Sequence, residues 1–415
     1  MVALRERFLK PRILEALDDT RIVVVQGARQ VGKSTLASQV VTLRGGRLVT
    51  LDDEVTRTAA ELDPAGFVRQ FPDGLLAIDE VQRVPALILA LKMVVDADQR
   101  PGRFLLTGSA NLLRLPAMED SLAGRAEDVE LFGFSQGELA GCRETFIDRL
   151  FAGESITGHR SELTRADYLE RAYAGGYPEA LARTPGRRRA DWYDNYVRRI
   201  TERDAHDVSA LQRLEDLPRL LRLLAARNAA ELNVAGLAND AGIPVRTLAP
   251  YLSLLETLYL IQRIPAWSTN LSKRVVSRPK CALLDTGLAA RLVNVDARGQ
   301  GTAAVQMAGG LLEGFVAGEL RRQLGWSEET PRIWHYRDHG GAEVDLVLEA
   351  ADGRVVAVEV KASSSVGISD GRWLATMRDR LGRQFVQGVI LHTGPTAAPF
   401  GDRITAAPLD VLWRT

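Results

Sequence analysis

From residue 21 to 132, short apolar runs alternate with amphipathic or charged stretches: RIVVVQ, GRLVTLD, GLLAIDE, GRFLLTGS and EDVELFGF. Runs so short and so apolar predict buried strands, and the helical spacing between them predicts a parallel α/β sheet. Between about 135 and 230 the apolar residues recur three and four apart, in RADYLERAYAGGYPEALA and in the segment from ADWYDNYVRR to LLRLLAARN. That spacing predicts helices, arranged as a lid or connecting bundle. Residues 231–262, ELNVAGLANDAGIPVRTLAPYLSLLETLYLIQ, read as a short helix, a Gly-Ile-Pro turn and a second helix, the pattern of a helix-turn-helix. The strand-like IQRIPAW and PKCALLD follow, as a winged version requires. From about 300 a helix, GGLLEGFVAGELRRQL, and the strands RIWHYR, AEVDLVLEA, RVVAVEVKA and QGVILHT predict a second α/β unit. The expected units are 1–140, 141–230, 231–298 and 299–415.

One loop in this pattern carries chemistry. GARQVGKS, residues 27–34, fills G-x-x-x-x-G-K-[ST] between a predicted strand and a predicted helix, the setting a phosphate-binding loop needs. Its glycines let backbone N–H groups curl around phosphate oxygens, and the helix start adds its positive dipole end. Gly27, Ala28, Arg29, Gln30, Val31, Gly32, Lys33, Ser34 and the following Thr35 are therefore the expected ATP contacts. Lys33 reaches the β and γ phosphates and Ser34 ligates Mg²⁺. LLAIDE, residues 75–80, is an apolar strand ending in two carboxylates. Asp79 is expected to hold Mg²⁺ through water, and Glu80 to orient or deprotonate the attacking water. The strand FLLTGSAN ends in Thr107, Ser109 and Asn111, any of which can lie beside the γ phosphate.

Composition narrows the partners. Among 415 residues the basic and acidic side chains both number 53, so affinity for nucleic acid must come from local patches. Only six of the basic residues are lysine: Lys10, Lys33, Lys92, Lys273, Lys280 and Lys361. A lysine at a motif position thus hints that a compact ammonium is needed there. Cys142 and Cys281 show no metal spacing and fit a reducing compartment. No stretch approaches the length of an apolar membrane span, so a cytoplasmic location and no membrane partner are expected. The segment 263–280, RIPAWSTNLSKRVVSRPK, holds five basic residues and no acid. Beside a helix-turn-helix this reads as a basic wing on DNA phosphates, with Arg246, Lys273, Arg274, Arg278 and Lys280 as contacts. Such modules also serve as protein contacts, which leaves that alternative open. GRRRADWYDNYVRR, at 186–199, is read equally as a solvated helix face.

GARQVGKS, LDDE at 51–54, LLAIDEVQRVP, LLTGSANLL, SLAGRAEDVELFGFS, GGYPEAL, RPKCALLDTGLAARL, LLEGFVAGEL and AEVDLVLE together resemble the AAA+ ATPases. The closer likeness is to a bacterial and archaeal family that joins such a domain to a C-terminal domain of formerly unknown function. The resemblance implies a five-stranded core with the sensor strand between the two nucleotide-binding strands. It also implies Arg125 as an arginine finger, with Arg114 as a rival, and a homo-oligomer such as a hexameric ring. GGYPEAL is expected to be a packed turn. AEVDLVLEAADGRVVAVEVKAS resembles the PD-(D/E)xK nucleases, with Val344 in place of the usual proline. The likeness implies a metal site of Asp345, Glu359 and the carbonyl of Val360, with Lys361 beside it and Glu313 on the preceding helix. His335 and His339 are expected to be structural.

The fold expected is α/β: a P-loop AAA+ core, a helical lid, a winged helix-turn-helix and a restriction-endonuclease-like C-terminal domain. The function expected is a Mg²⁺-dependent ATPase that binds or remodels DNA, double-stranded or branched. The alternatives are an ATP-gated nuclease and a regulatory or protein-remodelling ATPase with an inert nuclease-like docking domain.

Overall fold

Three sheets order the chain in a computed structural model that describes residues 5–109, 122–205, 214–295, 302–338 and 340–414. Asn111, Arg114 and His339 lie outside the described residues. The first sheet is wholly parallel and runs β2 (Arg47–Thr50), β3 (Leu76–Asp79), β4 (Phe104–Gly108), β1 (Ile22–Gln26), β5 (Ala126–Glu130). β4 thus lies between β1 and β3, the strands that carry the glycine loop and the carboxylate pair. Alternation along β1 sends Val23 and Val25 to one apolar cluster and Ile22 and Val24 to another. Helix Lys33–Arg44 packs into the first and helix Ala86–Ala97 into the second. A strand covered on both faces has no use for polar residues, which is why RIVVVQ is nearly continuous in its apolar character.

The second sheet is small and antiparallel, in the order β6 (Ala230–Glu231), β8 (Lys280–Leu283), β7 (Ile261–Ile264). Helices Val234–Ala241 and Val245–Thr257 precede β7. Asn233 caps the first of them by accepting from Gly236 N at 3.1 Å, and Gly242 ends it in a left-handed turn. Between β7 and β8, where an extended wing was expected, Leu271–Val276 form a helix capped by Asn270, whose Oδ1 accepts from Ser272 N and Lys273 N.

The third sheet has six strands, β13 (Ala398–Gly401), β14 (Ile404–Pro408), β12 (Phe385–His392), β11 (Val355–Val360), β10 (Glu343–Glu349) and β9 (Arg332–Arg337), in that spatial order. Helix Thr302–Gln323 supplies Leu311, Leu312 and Val316 to the apolar cluster containing Leu346 and Val358, while helix Arg372–Leu381 covers the opposite face through Leu374 and Met377. β13 and β14 have no counterpart among the strands expected from the sequence; APFG and ITAAP are too short and too interrupted by Pro and Gly to show a period.

The expected units share an apolar core. One apolar cluster runs from Leu9 and Ile13 through Tyr168 and Trp192 to Leu320 and Trp413. GGYPEAL is part of that joint: Gly175, Gly176 and Tyr177 make a packed turn that enters helix Pro178–Leu181. Gly176 N donates to Asp285 Oδ2 at 2.7 Å, while Asp285 Oδ1 accepts from Tyr193 Oη at 2.9 Å and Leu288 N at 2.8 Å. A Cβ on Gly175 would lie 2.3 Å from Tyr193 Oη and one on Gly176 2.7 Å from Phe134 O, so both positions admit only glycine. Asp285→Ala would leave two buried backbone donors, Gly176 N and Leu288 N, without an acceptor, while Tyr193 Oη keeps Ala174 O at 3.0 Å. The expected loss is about 3 kcal/mol or more, read as a lower urea midpoint; a midpoint equal to wild type would refute the assignment. Among the described residues no helix is long and apolar enough to cross a membrane.

Candidate functional site

Every group of the nucleotide site lies at the C-terminal edge of the first sheet. Gly27 leaves β1 at φ 156°, and a Cβ there would stand 2.0 Å from Leu131 O; only a bare Cα lets the loop pass the start of the next segment. Gly32, at φ 99°, turns the loop into helix Lys33–Arg44, and Gln30 adopts φ 65° between them. Lys33 is buried, and its Nζ donates to Gly27 O at 3.0 Å and Ala28 O at 2.9 Å. Loop carbonyls therefore hold the ammonium in the cradle that the loop forms. Behind it Arg7, also buried, donates to Val31 O at 2.8 Å and pairs with Glu138 at 2.9 Å. Arg7 is a support the sequence did not reveal, because nothing local marks a residue that acts across 24 positions.

Asp79 closes β3 and gathers three hydroxyls. Ser34 Oγ donates to its Oδ1 and Oδ2 at 2.8 and 2.9 Å, Thr107 Oγ1 to Oδ1 at 2.5 Å, and Thr50 Oγ1 to Oδ2 at 3.3 Å. A hydroxyl and a carboxylate so disposed are the hard oxygen donors that suit Mg²⁺. Glu80 turns away in a left-handed conformation, φ 58°. Its Oε2 accepts from Ser109 Oγ at 3.0 Å and from Gln82 Nε2, which also donates to Ser109 Oγ at 3.0 Å. The two polar ends of β4 thus divide: Thr107 ties Asp79 and the Glu80 backbone N–H, at 3.1 Å, whereas Ser109 addresses the Glu80 carboxylate. Gln82 was not anticipated, although its place two residues beyond the carboxylate pair is visible in IDEVQR.

Arg125 stands elsewhere. It immediately precedes β5, whose first residue pairs with Ile22, so it lies on the sheet edge opposite the phosphate loop, about 16 Å away by strand rise. Its guanidinium makes a two-pronged pair with Asp96, at 2.6 and 3.0 Å. From there it cannot touch a phosphate bound to its own chain.

Residues 19–140 match the family model of an AAA domain. Together with the parallel sheet and the glycine loop, this makes the N-terminal unit an AAA-type P-loop domain in construction. Residues 165–299 and 308–412 match two domains of unknown function, DUF8612 and DUF4143. Uncharacterized proteins of Mycobacterium bovis and Mycobacterium tuberculosis are each 29% identical over 405 residues, covering 97% of this chain and 83% of the relative. Among solved structures, the Thermotoga maritima RuvB Holliday junction branch migration motor is 18% identical, spanning 62% of this chain and 89% of its own at a TM-score of 0.30. The Aeropyrum pernix ORC2 protein is 16% identical, spanning 69% and 90% at a TM-score of 0.35. Scores this low do not establish a shared overall architecture.

Next to the AAA domain's phosphate loop, helix Arg187–Arg199 turns Trp192, Tyr193 and Tyr196 inward. Tyr196 Oη donates to Arg29 O at 3.4 Å. A cavity of about 210 Å³ opens there, lined by Arg29, Gln30, Arg183, Arg188, Trp192 and Arg199 among others. The side chains of Arg29 and Gln30 thus border a pocket instead of projecting idly from the loop.

The expected DNA contacts separate on inspection. Arg246, in the first turn of helix Val245–Thr257, is exposed, as are Lys273 and Arg278. Two expectations are corrected. Arg274 pairs with Glu349 at 2.5 and 2.8 Å and packs over the rings of Trp267 and Trp334. Lys280 is 2% exposed and points into the third sheet. Both guanidinium and ammonium are spent on carboxylates of β10 and its neighbours, a use that a run of basic residues without acids could not disclose. Arg263 is likewise paired, with Glu256 at 2.6 Å.

The residues expected of a nuclease-like site lie together. Asp345 of β10, Glu359 of β11 and Glu313 of helix Thr302–Gln323 converge, with Lys361 Nζ 2.8 Å from Glu359 Oε1 and Val360 N donating to Asp345 Oδ2 at 2.9 Å. Burial and the neighbouring Asp345 push Glu359 up to about 7 and Glu313 up to about 8. The Lys280 ammonium opposes that rise at Glu313, and the Lys361 ammonium opposes it at Glu359. His335 is buried; its Nε2 lies 3.0 Å from Arg278 O, and burial lowers its pKa, a neutral structural ring.

Proposed function

We propose that the chain hydrolyses Mg-ATP at Lys33, Ser34, Asp79 and Glu80 and uses that cycle to handle DNA, double-stranded or branched, as a cytoplasmic homo-oligomer. The observation that carries hydrolysis is the separation of the two carboxylates: Asp79 faces the Ser34 hydroxyl, and Glu80 faces Ser109 and Gln82. A site that only bound nucleotide has no need for the second. In this reading Lys33 and the loop N–H groups of Gly27 to Thr35 hold the phosphates, and Ser34 and Asp79 hold Mg²⁺, which when bound offsets phosphate charge. Glu80 accepts the proton of the attacking water, with Ser109 and Gln82 fixing the carboxylate. Arg125 supplies positive charge to the nucleotide of an adjacent copy.

The DNA part rests on the small β6-β8-β7 sheet with the two helices between β6 and β7, which we read as a winged-helix module, and on exposed Arg246, Lys273 and Arg278. Phosphate contacts from such residues give affinity without reading sequence. The C-terminal sheet, read as nuclease-like from Asp345, Glu359 and Lys361, is assigned a holding role. The test is the ATPase rate with no DNA, single strands, duplex and four-way junctions at low and raised salt. Stimulation of several-fold that fades with salt is expected. A flat rate together with no salt-sensitive binding would sink the DNA reading.

One observation favours a regulatory or protein-remodelling role instead. Leu271, Val275 and Val276 on the helix between β7 and β8 are 71%, 85% and 81% exposed beside Lys273, and apolar side chains serve a protein partner better than a phosphate. In that case no DNA form changes the rate.

A further inference from the structure

Lys280 is the least expected side chain in the molecule. It belongs to β8 of the small sheet, yet its Nζ lies 2.5 Å from Glu313 Oε1, 3.0 Å from Glu343 Oε1 and 3.2 Å from Asp345 Oδ1. These three acceptors come from two different elements of the C-terminal unit, and they match the three N–H donors of an ammonium. Burial alone would drive the proton off, but Glu313 and Asp345 outweigh it, so the pKa of Lys280 is raised and the charge is retained. Lysine is rare here, six residues among 53 basic ones. The planar fork of arginine is too broad to sit at the centre of three converging carboxylates.

A divalent metal does not fit this arrangement. Mg²⁺ needs oxygens at about 2.0–2.1 Å in near-octahedral order. Here Asp345 Oδ1 contacts Lys280, Asp345 Oδ2 accepts from Val360 N, and Glu359 Oε1 is paired with Lys361. Among the described residues no group of three or more His, Cys, Asp or Glu is disposed to hold a metal ion. Four carboxylates, Glu313, Glu343, Asp345 and Glu359, instead face two ammonium groups, Lys280 and Lys361.

We propose that Lys280 is the built-in cation of the C-terminal carboxylate site: its ammonium occupies the place of a divalent metal, bars metal binding there, and bolts the small sheet to the third. The unit then grips without cutting, and the small sheet cannot swing away from the C-terminal sheet without taking this cation from Glu313, Glu343 and Asp345. The inference is independent of the DNA reading, because it holds or fails on cation occupancy.

The test uses the full chain carrying Ser34→Ala and Asp79→Asn, so that the P-loop site takes no metal, and reads bound Mn²⁺ by electron paramagnetic resonance. In this background with Lys280 intact, no Mn²⁺ sensitive to Asp345→Asn is expected. Lys280→Met is expected to gain about one Mn²⁺ per chain, lost again when Asp345→Asn is added. Should Lys280→Met not fold, Lys280→Met with Glu343→Gln removes one charge of each sign and carries the same reading. Mn²⁺ bound in the presence of Lys280 and removed by Asp345→Asn would overturn the proposal, as would a folded Lys280 variant that gains none.

Discussion

Glu80→Gln is expected to bind ATP as wild type does and to turn it over about 10²- to 10⁴-fold more slowly, the range for loss of a positioned general base. The substitution keeps the size of the side chain and an oxygen that can accept from Ser109, so the strand end and the left-handed turn at φ 58° remain. What it removes is the ability to take a proton. Lys33, Ser34 and Asp79, proposed to hold the nucleotide and its metal, are untouched, and the Thr107 bond to the Glu80 backbone N–H survives any side chain. Fluorescent nucleotide binding and phosphate release, measured on the same sample, separate the two effects. Turnover within threefold of wild type would remove Glu80 from the mechanism.

Arg125→Ala is expected to lower turnover by about 10³-fold or more, as for removal of an arginine finger, while leaving nucleotide binding and melting temperature unchanged. The second half of that expectation distinguishes a finger from a structural ion pair. Asp96, its partner, is 43% exposed, and a pair this open to solvent adds little to stability. Because Arg125 lies across the sheet from its own phosphate loop, wild-type turnover per chain should climb with protein concentration as copies assemble, and the variant should stay flat. A lowered melting temperature with normal turnover would mark the Asp96 pair as its whole purpose.

The nucleotide site was legible because its parts are local. GARQVGKS and LLAIDE each place a turn or a strand end and its chemistry within eight residues, and apolar runs on both sides fix the depth at which they lie. The order of strands was implied by resemblance and is seen in the parallel pairing of β4 with both β1 and β3. Thr107, Ser109 and Asn111 could not be ranked from spacing, since a polar strand end looks alike whichever carboxylate it meets. Thr107 and Ser109 now part company by partner, Asp79 for one and Glu80 for the other.

The basic segment 263–280 shows the opposite case. Its sequence contains no acid, so every cation in it looked available to a phosphate. Folding brings Glu256, Glu349, Glu313, Glu343 and Asp345 to three of them, from positions up to 75 residues away. Of its five cations Lys273 and Arg278 are exposed, while Arg263, exposed as well, is paired with Glu256. Arg7 under the phosphate loop and Asp285 under GGYPEAL are further instances of partners chosen across the fold.

By itself, then, the sequence determined the phosphate loop and most strands and helices, though not β13, β14 or the helix Leu271–Val276, because hydrophobic period, glycine conformation and helix capping act over a few neighbouring residues. Tertiary structure alone decided which charges are neutralised. A buried ammonium or carboxylate is tolerated only where opposite charge converges on it, and that convergence depends on which strands and helices pack together, not on what lies beside the residue in the chain.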